Sequence, residues 1–263
     1  MDKIPSAASR IHVATSVEIA GREAAGRAAS VIRDTLATRG NARVIFASAP
    51  SQQAMLTALV EEPGIDWSLV RSFHMDEYLN LASDHPNSFG RWLEERLPVA
   101  AHAGLERIRT HGRPAAEAVR YGALISEAPI DLVCLGVGVN GHIAFNEPGT
   151  SDPDDPEIAR VVTLNDASRR QQVDEKLFAT LDEVPTQALT LTVPALLSGR
   201  SLVCSVIGSH KADAVARALQ GPVDASSPAS YLRTHPDVTW FLDDAAATGL
   251  NRETRRSDTS LQL

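Results

Sequence analysis

Cysteine is nearly absent from this chain: Cys134 and Cys204 are the two in 263 residues. Each lies inside a short apolar run, so both read as reduced, buried thiols. Neither a disulfide framework nor a cysteine-built metal site is expected. Long apolar stretches are also missing. No run is long enough to span a bilayer, and the first residues lack the apolar centre of an export signal. Positive charge is in deficit, with 25 Lys and Arg against 33 Asp and Glu and a net charge of −8. That balance argues against broad nucleic-acid binding, although a local cationic pocket for an anionic small molecule is compatible with it. No internal repeat is evident. The expected setting is cytoplasmic, with no membrane or nucleic-acid partner, and a homo-oligomer is left open.

Hydrophobic residues make up 43% of the chain and charged residues 22%, the composition of a folded globular protein. Short β-branched runs alternate with longer helical patterns. Strands are predicted at 11–14, 43–47, 69–74, 107–110, 130–135, 158–164, 188–192, 202–207 and 238–242. Helices are predicted over 20–39, from the second strand through 60, and at 88–97, 114–126, 167–179, 210–219 and 228–233. Gly40 supplies a C-terminal stop, and Pro114 suits the first turn of its helix. This alternation predicts the α/β class: a three-layer α/β/α fold on a Rossmann-like, mostly parallel sheet. A single domain over 1–250 is expected, with a frayed polar tail at 251–263. The irregular stretch PGTSDPDDPE at 148–157 reads as a flap or loop of the active site.

The chemistry concentrates in LGVGVNGHIAFNEPGT, residues 135–150. It follows the apolar run at 130–135, so its polar groups fall at the carboxyl end of a buried strand, where open α/β sheets place their sites. Gly136, Gly138 and Gly141 match G-x-G-x-x-G. A dinucleotide loop would need a helix opening at the third glycine, and Pro148 and Gly149 cut such a helix short. His142 and Glu147 suit a pair in which the carboxylate fixes the imidazole tautomer; a structural histidine bonded to backbone is the alternative. The second concentration is FHMDEYLNL at 73–81. Asp76 and Glu77 follow a strand there, placed to act as a general base, to cap a helix or to stand as solvated loop acids. Arg169, Arg170 and Lys211 also fall at strand ends, as do Ser48 and Ser51, and such cations, hydroxyls and helix starts suit a phosphate.

Together these segments resemble the glucosamine-6-phosphate deaminase and isomerase family, part of a superfamily that includes 6-phosphogluconolactonases. The resemblance covers residues 43–247 and rests on HMDEYLNL, DHPNSF, GVNGHIAFNEPGT, VPTQALTLTVPALLSG, GSHKA and LRTHPDVTWFLD. It implies an aldose–ketose isomerisation coupled to ammonia loss, from glucosamine 6-phosphate to fructose 6-phosphate, without a metal or redox cofactor. By position it makes Asp76 the base that moves the C2 proton to C1. It makes His142 the ring-opening group, oriented by Glu147 and adjoined by Asn140. Arg169 and Lys211 would hold the phosphate, with Ser48 and Ser51 in its loop. Two positions depart from the family's pattern. Asn140 stands where the best-known members have aspartate, which predicts a lower His142 pKa than an aspartate-bearing relative has. Ala49 and Pro50 stand where a glycine pair is common, and proline removes one amide donor; a galactosamine 6-phosphate is therefore a second candidate substrate. A lactonase-like hydrolase and a non-catalytic sugar-phosphate sensor are the other readings.

Overall fold

A computed structural model describes residues 9–174 and 176–256. In chain order the elements begin with β1 (Arg10–Ala14), α1 (Val17–Arg39), β2 (Ala42–Phe46), α2 (Gln53–Glu61), β3 (Val70–His74) and β4 (Asp76–Tyr78). Next come α3 (Phe89–Glu94), α4 (Val99–His102), β5 (Leu105–Glu106), α5 (Pro114–Ser126), β6 (Leu132–Leu135) and β7 (Ala159–Thr163). The last are α6 (Asp166–Asp174), β8 (Gln187–Leu191), α7 (Val193–Leu197), β9 (Ser201–Val206), α8 (Ala212–Gln220) and β10 (Val238–Asp243). Seven strands form one sheet in the order β1-β10-β9-β6-β2-β3-β5, with every neighbouring pair parallel.

A parallel strand covered by helices on both sides must be apolar at successive positions, and side-chain alternation then divides the sheet between two cores. Val44, Phe46, Leu132, Cys134, Val203 and Phe241 face the alanines of α1 and Met55, Leu56 and Leu59 of α2. Their neighbours Ile45, Val133, Leu135, Leu202, Cys204, Trp240 and Leu242 face the other way, onto Tyr121 and Ile125 of α5, Leu196 of α7 and Val215 of α8. The two buried, free cysteines thus lie on opposite faces. This is the α/β/α fold expected from the alternation of elements.

Several expectations are corrected. The stretches 158–164 and 188–192 do not join the main sheet: β7 and β8 pair antiparallel with each other and with β4 in a separate sheet of order β4-β8-β7. The predicted strand at 107–110 is displaced to β5, because the Ile108 N–H is donated to the His74 ring at 3.0 Å instead of to a strand. Helix α1 starts earlier than predicted, at Val17, where Ser16 caps it through the Ile19 N–H. Residues Pro228–Thr234 form a 3-10 helix where an α-helix was expected, and α6 ends at Asp174, short of 179. Helix α7 was not anticipated; Thr192 caps it and Pro194 sits in its first turn. Of the predicted tail, 257–263 lies outside the described residues, while Thr254–Arg256 forms a 3-10 turn. Among the described residues, no helix is long and apolar enough to cross a membrane.

Candidate active site

Four adjacent strands, in the order β9-β6-β2-β3, end at one cavity. Its lining includes Ser48 and Ser51 beyond β2, Asp76 beyond β3, His142 beyond β6 and Lys211 beyond β9. It encloses about 660 Å³ of space, partly continuous with solvent. The carboxyl ends of a parallel sheet are where backbone amides and loop side chains converge. The strand order sets Lys211 and Asp76 on opposite flanks, with His142 and Ser48 between them.

The loop after β6 is built around His142. Gly138 N–H donates to the His142 carbonyl at 2.9 Å, and a Cβ on Gly138 would overlap the imidazole itself. Glycine is therefore what lets the ring lie against the loop. Gly141 turns the chain with φ +95°. The ring's partners form a directed chain. Three side chains donate to the Glu147 carboxylate: Asn140 Nδ2 at 2.9 Å, Asn165 Nδ2 at 3.0 Å and the Ser168 hydroxyl. Because a carboxylate only accepts, it orients the Asn140 amide and turns Oδ1 toward His142. Asn140 Oδ1 then lies 2.8 Å from His142 Nδ1 and accepts the His142 backbone N–H at 3.1 Å. An amide oxygen cannot donate, so Nδ1 carries the proton and Nε2 is left as the basic nitrogen. Burial depresses the imidazole to about 4; the Glu147 carboxylate opposes the shift and Lys211 adds to it. His142 is thus a neutral imidazole at pH 7, and its 3.8 Å approach to Glu147 is a contact between a neutral ring and a carboxylate.

Asp76 and Glu77 are neighbours with different environments. Both are buried. Glu77 accepts from the Ser88 hydroxyl at 2.8 Å and from the Phe89 and Gly90 amides at 3.1 and 2.9 Å, so it seats the first turn of α3. Asp76 lines the cavity. The described residues give its carboxylate no hydrogen bond or ion pair. Burial pushes that carboxyl well above the ordinary carboxylate range, and the Glu77 charge adds to the shift. An unpaired acid beside a cavity is poised to take up a proton.

On the opposite flank, Gly208 (φ +97°) is held by its N–H to Asp243 Oδ1 at 2.9 Å, and it starts the 3-10 turn Ser209–Lys211 that delivers the buried Lys211. After β2, Pro50 opens another 3-10 turn. The Ser48 hydroxyl there is buried without a partner among the described residues. Arg169, by contrast, does not line the cavity: its guanidinium donates to the Leu181 and Val184 carbonyls at 2.6 and 3.1 Å. Arg170 is exposed. No residue of 148–157 lines the cavity either; Gln171, Gln172 and Leu177 of the α6 region do so. That stretch is tied outward instead, the Gly149 N–H donating to Ala225 O at 2.7 Å.

Sequence reasoning missed Gln52, Asn165 and Ser168. Gln52 is fully buried in the cavity wall, its Nε2 donating to Ser205 O at 3.1 Å and its Oε1 unpartnered among the described residues. Asn165 had a readable signal, an amide just ahead of a helical pattern, and its Oδ1 accepts the Ser168 N–H at 2.8 Å. Nothing local marks Gln52.

The profile of one family, described as "Glucosamine-6-phosphate isomerases/6-phosphogluconolactonase", matches residues 16–240. A glucosamine-6-phosphate deaminase of Listeria innocua is 34% identical over 214 residues, 80% of this chain and 89% of the relative. A glucosamine-6-phosphate deaminase of Rhodopirellula baltica is 37% identical over 203 residues, 75% of this chain and 79% of the relative. The solved structure of a monomeric glucosamine-6-phosphate deaminase superposes with a TM-score of 0.84 at 28% identity, covering 92% of this chain and all of that one.

Proposed function

Since the chain belongs to the family of glucosamine-6-phosphate isomerases and 6-phosphogluconolactonases, we propose that its cavity converts glucosamine 6-phosphate, or a close hexosamine phosphate, to the ketose 6-phosphate and ammonia. The observation that carries this is the buried, unpaired Asp76 carboxyl in the same cavity as the neutral His142 and the cationic Lys211. Lactone hydrolysis requires no deprotonation at carbon, whereas an aldose–ketose isomerase must move a proton between adjacent carbons.

The neutral Nε2 of His142 opens the pyranose by relaying the C1 hydroxyl proton to the ring oxygen. The open chain exposes an aldehyde, which makes the C2–H acidic. Asp76 removes that proton while O1 takes one up to give an enolamine, and Asp76, its proton exchanging with solvent, then protonates C1, which leaves an iminium at C2. Water adds at C2, and collapse of the carbinolamine expels ammonia and leaves the ketone, one water being consumed per turnover. Lys211, Ser48 and Ser51 anchor the phosphate and hold C2 over Asp76. Arg169 joins them only if the turn at 181–184 releases it, since two carbonyls now hold its guanidinium. The setting in this reading is cytoplasmic, where Cys134 and Cys204 stay reduced.

Three substrates distinguish the readings. Ammonia release is expected with glucosamine 6-phosphate. Release only with galactosamine 6-phosphate moves the substrate but keeps the chemistry. Hydrolysis of 6-phosphogluconolactone without ammonia release from any amino sugar refutes the proposal.

A further inference from the structure

His74 is a fully buried histidine that the mechanism does not use. It is the last residue of β3, and the chain leaves the main sheet immediately after it. Met75 N–H donates back to Phe46 O at 3.1 Å, and Met75 O accepts the Leu191 N–H at 2.8 Å, so Met75 bridges the two sheets. Asp76 then opens β4, opposite Thr190 of β8. The carboxylate of Asp76 has no side-chain partner among the described residues. Its position is set by its backbone.

The His74 ring reaches across this step. Its Nδ1 lies 2.8 Å from the Asp76 carbonyl, and its Nε2 lies 3.0 Å from the Ile108 N–H. The carbonyl can only accept and the amide can only donate, so one arrangement satisfies both: Nδ1 protonated, Nε2 bare, ring neutral. The backbone of His74 is clamped in turn. Its N–H donates to the Tyr121 hydroxyl at 3.1 Å, and that hydroxyl donates to the His74 carbonyl at 2.8 Å. The charged groups that face the ring are Glu77 of β4, Arg107 after β5 and Glu117 of α5. Burial outweighs them and lowers the pKa of His74 from its ordinary value. The two ring nitrogens thus tie the Asp76 carbonyl to the Ile108 amide, two backbone groups distant in sequence.

We propose that His74 is a positioning residue whose Nδ1–H holds the Asp76 carbonyl and thereby aims the Asp76 carboxylate at the substrate's C2 proton. The inference rests on the reading of Asp76 as the base, and the experiment separates the two. An asparagine amide nitrogen occupies the place of Nδ1, whereas a glutamine amide occupies that of Nε2. His74→Asn therefore keeps the donor to Asp76, and His74→Gln keeps only the contact with Ile108. His74→Gln is expected to lose about 100-fold in kcat with KM within about twofold, the loss typical of an ångström-scale misplacement. His74→Asn is expected to recover most of that loss. In the wild type, ring ¹⁵N shifts are expected to show the neutral Nδ1–H tautomer throughout the working pH range. Equal impairment of the two variants, full kcat in His74→Gln, or an Nε2–H tautomer overturns the proposal. Asp76→Asn tests the underlying reading independently. If Asp76→Asn still exchanges the C2 proton, the base assignment fails and takes this inference with it. If only His74→Gln behaves as wild type, this inference alone fails.

Discussion

The two ends of the main sheet treat some of their buried polar groups in opposite ways. At the amino end, Asp131 is 2% exposed. It accepts the Arg43 N–H at 2.9 Å, pairs with Arg39, and lies 3.8 Å from Arg200. Close by, Asp237 receives Arg27 at 2.8 Å together with Arg10 and the Ser201 hydroxyl. At the carboxyl end, Asp76 is 7% exposed and among the described residues pairs with no cation. Ser48 Oγ and Gln52 Oε1 are buried there without partners among the described residues. Paired groups serve the architecture, because a buried charge without a partner is expensive. Groups left unpaired in a cavity are available to a ligand, and they lower stability for that reason. The paired acids hold the amino end of the sheet, and at its carboxyl end Asp76 stands unpaired beside Glu77 and Glu147, whose carboxylates are taken up by hydrogen bonds.

The sharpest way to break this contrast is Asp76→Asn. Exchange at C2 and ammonia release should fall about 10³-fold, the range of a lost general base. Stability should move the other way. The folded carboxyl titrates above its unfolded value near 3.8, so its contribution is full below that value and is lost as pH rises through the raised one. Above the unfolded value, burial of this acid costs stability, and asparagine should raise Tm by roughly 2–4 °C for each ~1 kcal/mol relieved. A lower Tm with intact exchange contradicts the contrast on both counts.

Gly138→Ala and Asp131→Ala form a matched pair. The first drives a methyl into the His142 ring, and about 100-fold in kcat should be lost as the imidazole leaves its place. The second should destabilise by about 2 kcal/mol, less than a wholly buried pair because Arg39 and Arg200 retain water contact, and kcat per folded molecule should not change. Thermal melts alongside steady-state kinetics check both. An Asp131 variant that is inactive while folded would erase the distinction between the two ends.

Asn140→Asp has the smallest expected effect. A carboxylate in place of Oδ1 favours the imidazolium, so the His142 pKa should rise from about 4. An NMR titration of the ring checks it, and an unchanged value contradicts the role given to the amide. In the wild type the folded value lies below the ordinary imidazole value of 6.5, so stability should decline as pH falls from there through about 4.

Much of the fold was legible because its signals are local. Gly40 at φ +75° ends α1, and Pro114 opens α5, each for a reason carried by a single residue. Strand alternation gave the two faces. Sheet membership was not legible: β7 and β8 have the same β-branched look as the core strands, and only their partners place them in the small antiparallel sheet. At the site, Asp76, His142, Ser48, Ser51 and Lys211 stood out because glycine turns and strand ends flag them, and they share the cavity. The difference between Asp76 and Glu77 was invisible, since it depends on Ser88, Phe89 and Gly90 folding back onto one of two adjacent acids. The Asn140–Glu147–Asn165 chain was equally hidden, because amide orientation is decided by partners distant in sequence.

The most direct measurement follows glucosamine 6-phosphate and the enzyme in D₂O by proton NMR. Loss of the C2–H signal, with deuterium at C1 of the ketose product and ammonium accumulating in step, is the predicted result. A C2–H signal that stays intact while no ammonium appears, with active folded protein confirmed by its melt, would contradict the assignment of a proton-transferring base to this cavity.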